Sequence, residues 1–186
     1  MAALLAAAVS CPVFAAEWGV EQLMREMAQV KSVRAKFAER KQLAILNAPL
    51  ESSGTLVYTA PGRLEKHTLA PRQESLVLER GRLILEDPAR DRRRTFVLQE
   101  HPVLWAFVEG IRSTLAGDLV TLNRFYQVSL DGGERRWRLT LKPREPGMQE
   151  VVSEIRIGGS RNWIDTIEII EVQGDRSLMT ITRDAP

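Results

Sequence analysis

The segment Leu50-Glu51-Ser52-Ser53-Gly54-Thr55-Leu56-Val57-Tyr58-Thr59-Ala60-Pro61-Gly62-Arg63-Leu64 sets the pattern for the chain. Leu50–Tyr58 reads as a strand, Pro61-Gly62 as its turn, and Leu64 opens the next strand, which runs to Leu69. The rhythm continues downstream with Glu74–Leu78, Arg82–Leu85 and Arg94–Leu98, divided at Pro71, Gly81 and Asp87-Pro88. A spacing of roughly 10 to 12 residues per strand predicts an antiparallel meander or barrel.

Upstream, Val33, Ala35 and Phe37 alternate with Arg34 and Lys36, so a strand precedes the quoted segment. Before it, Val20, Leu23, Met24 and Met27 recur at helical spacing against Glu21, Gln22, Arg25 and Glu26. That pattern predicts an amphipathic helix ending near Lys31.

The meander stops at His101-Pro102. Val103–Val108 is an unbroken apolar run, and Ile111, Leu115, Leu119 and Leu122 continue at helical spacing. Gly110 and Gly117 predict breaks, giving two or three short helices to about Phe125. Strands resume at Tyr126–Leu130, Arg136–Leu141, Val151–Ile157, Trp163–Glu171 and Ser177–Thr182. Their dividers are Asp131-Gly132-Gly133, Pro143 to Gly147, Gly158-Gly159 and Gly174-Asp175. Trp137, Leu139 and Leu141 oppose Arg136, Arg138 and Lys142, so one face of this sheet is apolar and the other wet. The sum is about eleven strands, an N-terminal helix and a central helical insertion. No internal repeat divides them, so residues 16–186 are expected to form one domain.

The composition fits a soluble globular chain: 186 residues, 44% hydrophobic and 27% charged. A net charge of +2 offers no basic excess for nucleic acid. One cysteine excludes an intramolecular disulfide framework and a cysteine-rich zinc site, and two histidines leave little for any other metal centre. No cofactor is expected. Catalysis is not expected either: no serine, histidine or aspartate stands in a nucleophile-elbow or metal-ligand spacing.

No charge appears before Glu17, and Ala2–Val9 is apolar but too short to span a bilayer, which takes about 20 residues. It suits the middle of a secretory signal, although a positive n-region is missing. Val13 and Ala15 fit a small-residue cleavage site, so residues 1–15 are read as a signal peptide with Ala16 the new N-terminus. Cys11 has a second reading as a lipidated residue, for which Ala8, Val9 and Ser10 are a loose match. Removal of Cys11 with the leader would leave a mature chain without cysteine, compatible with an oxidising compartment.

The Val103–Val108 run asks for an explanation, because a helix that is apolar all round must be buried on more than one side. Leu104, Phe107, Val108 and Ile111 share one face, while Val103 and Trp105 point elsewhere. Either the helix is core beneath a loop, or it is a lid facing the sheet across a cavity for an apolar ligand.

The residues resemble the outer-membrane lipoprotein carrier (LolA) family over nearly the whole of residues 16–186. The carrying motifs are Phe37-Ala38-Glu39, Gly54-Thr55-Leu56-Val57-Tyr58, Pro61-Gly62-Arg63-Leu64, Pro71, and Leu78-Glu79-Arg80-Gly81, in family order. Trp137-Arg138-Leu139-Thr140-Leu141-Lys142-Pro143 is similar to a later strand of the family. Ile111-Arg112-Ser113-Thr114-Leu115-Ala116-Gly117-Asp118 resembles a LolA-related branch found beside lipid and polyketide-like gene clusters.

The resemblance implies a mainly β fold with α: an incomplete, curved antiparallel β-barrel covered by the N-terminal helix and a central helical lid. It implies a periplasmic, non-enzymatic carrier of a Gram-negative bacterium that hides acyl chains in a hydrophobic cavity. The cargo would be a lipid or a lipid-modified protein, with an inner-membrane donor and an outer-membrane acceptor as partners and the carrier a monomer. The candidate lining is Leu56, Tyr58, Leu104, Phe107, Val108, Ile111, Trp137, Leu139 and Ile155. Two departures widen the expected cargo beyond lipoproteins. Ala60 stands where the family has an arginine that bonds the lid, and the sequence ends at Pro186 without the family's C-terminal extension. A lipid-sensing envelope module without a transport role is the alternative. Arg90-Asp91-Arg92-Arg93-Arg94, the densest basic cluster, is read either as a solvated turn or as a dock for anionic headgroups or an acidic partner.

Overall fold

In the computed structural model, residues 18–184 are described. The leader, Cys11 and the expected cleavage site lie outside them. Helix α1 (Val20–Met27) leads into β1 (Ser32–Gln42). The strands β2 (Leu50–Thr59), β3 (Arg63–Ala70), β4 (Glu74–Glu79), β5 (Arg82–Asp87) and β6 (Arg92–Val97) then step outward as a meander. Helices α2 (Pro102–Ala116) and α3 (Leu119–Phe125) follow. The chain returns through β7 (Tyr126–Gly133), β8 (Arg136–Pro143), the short helix α4 (Pro146–Gln149), β9 (Val152–Ser160), β10 (Trp163–Glu171) and β11 (Arg176–Arg183).

These strands make one curved, unclosed antiparallel sheet in the order β6-β5-β4-β3-β2-β1-β11-β10-β9-β8-β7. The order explains the helical insertion. β6 and β7 are consecutive in sequence but lie at opposite edges, so the segment joining them must cross the sheet. It crosses on the concave side, where the apolar face needs cover.

Register decides that face, because alternate side chains share a side. Ala35 stands opposite Leu56, Ile157 opposite Ile167, and Leu139 opposite Ile157. Leu23, Met24 and Met27 of α1, Ala106 of α2 and Leu122 of α3 close over them to make the main core. Each large side chain buried there is worth about 1.5–3 kcal/mol. A second, smaller core joins Leu78, Leu83 and Leu98 to Val108 of α2 under the β3–β6 half.

Five glycines correct the expected boundaries. Gly110 does not break the insertion; α2 runs through it to Gly117. A Cβ at Gly110 would stand 2.8 Å from the Tyr126 hydroxyl, so glycine is needed for close approach and not for a turn. Gly158-Gly159 is likewise inside β9 and not a divider. A Cβ at Gly159 would meet the Trp137 indole at 2.5 Å. Asp131-Gly132-Gly133 also belongs to a strand, β7, and the turn falls just after it.

Candidate functional site

The two cores do not merge into one. Phe107 packs against both, and beside it a cavity of about 610 Å³ opens between the first half of α2 and the concave face. Phe96, Val103, Leu104 and Phe107 line it from one side. Met148, Val151, Val152 and Ile169 line it from the other. Val103 and Val151 are exposed, so the cavity is open to solvent. Lys41, Glu100, His101, Glu171 and Ser177 supply its polar lining.

Of the nine candidate lining residues, Leu104 and Phe107 line this cavity. Val108 turns into the second core at 8% exposure, and Ile111 is half-buried against the main one. The five strand candidates share the concave face, as their register requires. Leu56 is half-buried there, and Tyr58 is 4% exposed. Trp137, Leu139 and Ile155 are 2%, 0% and 0% exposed beneath the helices, forming the floor of the main core. The Trp137 indole N–H donates to the Arg161 carbonyl at 2.8 Å, which fixes that floor.

Phe96, Val103, Met148, Val151, Val152 and Ile169 were not among the candidates. Val103 carried the signal, since it opens the same apolar run; the others come from four separate elements whose convergence only the topology reveals. The all-round apolar character of α2 now has its cause. Ala106 faces the main core, Leu104 and Val108 the second core, and Trp105 packs on Phe125 of α3 with ring centroids 5.5 Å apart.

Polar groups fix the helix and the sheet around the cavity. The Tyr126 hydroxyl on β7 donates to the Ala106 carbonyl of α2 at 2.8 Å. Burial, and then the charge of Glu109, raise the Tyr126 phenol well above its ordinary range. On the next turn, Arg112 donates through Nε to Glu109 at 2.8 Å and lies 3.6 Å from Asp118. Burial works against the Arg112 cation, but these two carboxylates outweigh it and raise its pKa. The Arg112 stem lies over the β2–β3 turn, where a Cβ on Gly62 would be 3.1 Å from its Cδ. Helix and turn therefore touch from the helix side, across the place where Ala60 carries no long side chain.

Within the sheet, Glu39 is buried on the concave face, with Lys66 Nζ at 2.5 Å and Ser177 donating at 2.7 Å. Burial alone would raise its pKa, but Lys66, Ser177 and Lys41 hold it below the usual carboxylate range. Among the described residues no three His, Cys, Asp or Glu side chains are placed to hold a metal ion. No helix among them is long and apolar enough to cross a membrane.

A family model described as outer membrane lipoprotein carrier protein LolA-like matches residues 13–185. The chain belongs to this LolA-like family. A LolA superfamily protein from Nitrosomonas europaea is 9% identical to it, over 90% of this chain and 95% of that one, with a TM-score of 0.44. MucB is 15% identical over 90% of this chain, with a TM-score of 0.50, and the LolA-like chain spans 58% of it. A chain of the MucA/MucB complex from Pseudomonas aeruginosa is 14% identical over 90% of this chain and 58% of that one, with a TM-score of 0.48. The likeness to MucB is one of fold. No curated protein matches the sequence.

Proposed function

We propose that this LolA-like protein is a periplasmic carrier that hides the acyl chains of a lipid or lipid-modified protein between its sheet and α2. It would take that cargo from an inner-membrane donor and release it to an outer-membrane acceptor. The observation that carries the proposal is the open, mainly apolar cavity of about 610 Å³ beside Phe107. That size falls within the range of about 300–1,000 Å³ usual for small-molecule sites.

The physical logic is that each methylene hidden from water is worth about 0.8 kcal/mol. A lipid with several chains does not leave a bilayer unaided at a useful rate. A carrier must cover those chains without strong specific bonds, then let go by moving a lid. Helix α2 suits such a lid. Its hold on the β2–β3 turn is the Arg112 stem, while the guanidinium is tied to Glu109 and Asp118 of the insertion itself.

Titration with a fluorescent acyl-chain probe tests binding: saturable uptake, competed by unlabelled lipid, is expected, and a folded protein that takes up no acyl chain would refute the carrier reading. Export rests on the apolar leader with Val13 and Ala15. N-terminal sequencing of the periplasmic fraction should find a start near Ala16, whereas a cytoplasmic product retaining Met1 would contradict export.

A further inference from the structure

The concave face changes character along the strands of its β3–β6 half. One row across the strands pairs Leu64, Leu78, Leu83 and Phe96, all apolar. The next row pairs Lys66, Leu76, Leu85 and Arg94. Asp87 and Arg92 pair in the row beyond. On β6 alone the same face therefore presents Phe96, Arg94 and Arg92 in succession. Phe96 lines the apolar cavity, whereas Arg94 and Arg92 line a separate pocket of about 270 Å³. Glu39 links the two spaces from the other side, since it holds Lys66 of the second pocket and Ser177 of the first.

The charges of this second pocket do not cancel internally. Glu74 pairs with Arg72 at 2.5 Å, Asp87 lies 3.8 Å from both Arg72 and Arg90, and Glu86 pairs with Arg93 at 3.3 Å. The remaining oxygen of Asp87, Oδ1, is shut off from solvent and is not offered to a ligand. Lys66 is taken by Glu39. Among the described residues, Arg92 and Arg94 make no ion pair, so the pocket holds two uncommitted guanidinium groups.

We propose that Arg92 and Arg94 form a headgroup subsite for a phosphate- or carboxylate-bearing amphiphile whose acyl chain enters the cavity at Phe96. This deepens the carrier reading and rests on it: it names the cargo class as anionic. A guanidinium fork is the side chain best shaped for such anions. Two successive inward-facing positions on one strand place both forks at the end of the apolar row. The competing account is that these arginines merely blunt an edge strand against aggregation.

The test compares two probes with the same hexadecanoyl chain, lysophosphatidate and the neutral monoacylglycerol, each displacing a pyrene-labelled monoacylglycerol. Wild-type protein should bind lysophosphatidate about tenfold more tightly, the effect expected of two basic groups near one anion. Arg92→Gln with Arg94→Gln should remove that preference and leave monoacylglycerol affinity unchanged; Arg93→Gln, already paired with Glu86, should change neither. High salt should shrink the wild-type preference, a readout that needs no variant. A double variant that keeps the preference, or a wild type that has none, overturns the headgroup subsite while monoacylglycerol binding leaves the cavity standing. Failure of both probes overturns the two together. Inorganic phosphate binding as tightly as lysophosphatidate would make the site one for a free anion and overturn the headgroup assignment.

Discussion

The hydroxyl of Tyr126 donates to the main-chain carbonyl of Ala106 at 2.8 Å, tying one edge of the sheet to the middle of α2. Gly110, one turn along the helix, lies against the same ring. The bond holds α2 to the β7–β11 half, next to the residue that lines the cavity, Phe107. The helix is thus tied to this half beside the cavity, while Val108 packs into the second core under the β3–β6 half.

Tyr126→Phe removes this bond without changing the packing, and should destabilise the fold by about 1 kcal/mol. Release of bound lipid should become faster, because the anchored side of the helix loosens. Since the folded-state pKa of Tyr126 is raised, the unfolded chain ionises first, and stability should fall as pH rises past about 10. The phenylalanine variant lacks that term, so the stability gap should close in alkali. Unfolding at neutral and alkaline pH measures it.

Phe107→Asp separates lid from core. Phe107 is half-buried and borders the cavity. A charge there can reach water, so the loss should be that of partial apolar contact, about 1–2 kcal/mol, or a few degrees in melting temperature. Lipid uptake should be abolished. Thermal unfolding alongside probe titration tests this; global unfolding would show Phe107 to be packed core.

Glu39→Gln tests the buried polar wall between the two pockets. Removing the carboxylate leaves Lys66 without its partner, at a cost of about 2 kcal/mol at neutral pH. The folded pKa of Glu39 lies below its ordinary value, so its contribution is present above about pH 4.3 and is lost as pH falls further. The wild-type advantage should shrink as pH falls through and below the ordinary glutamate range, which denaturant titration across that range would reveal.

The strands and the helical insertion were legible because their periods are local. Alternation at Trp137, Leu139 and Leu141 gave the correct face. It did not say whether helices or a ligand cover that face, because cover comes from α1 and α2, far away in sequence. The glycines misled for the same reason: Gly110 and Gly159 answer to Tyr126 and Trp137, distant partners that no local turn rule contains. Glu39 continued the alternation of Val33, Ala35 and Phe37, yet a carboxylate reads as exposed until Lys66 and Ser177 are seen around it.

The central claim is that an acyl chain occupies the space beside Phe107. The measurement is organic extraction and lipid mass spectrometry of protein purified from its native cells, compared with the Phe107→Asp variant prepared in the same way. The account predicts acyl lipid recovered from the wild type in near one-to-one ratio and none from the variant. Folded wild-type protein without lipid, or equal lipid on both proteins, would contradict it.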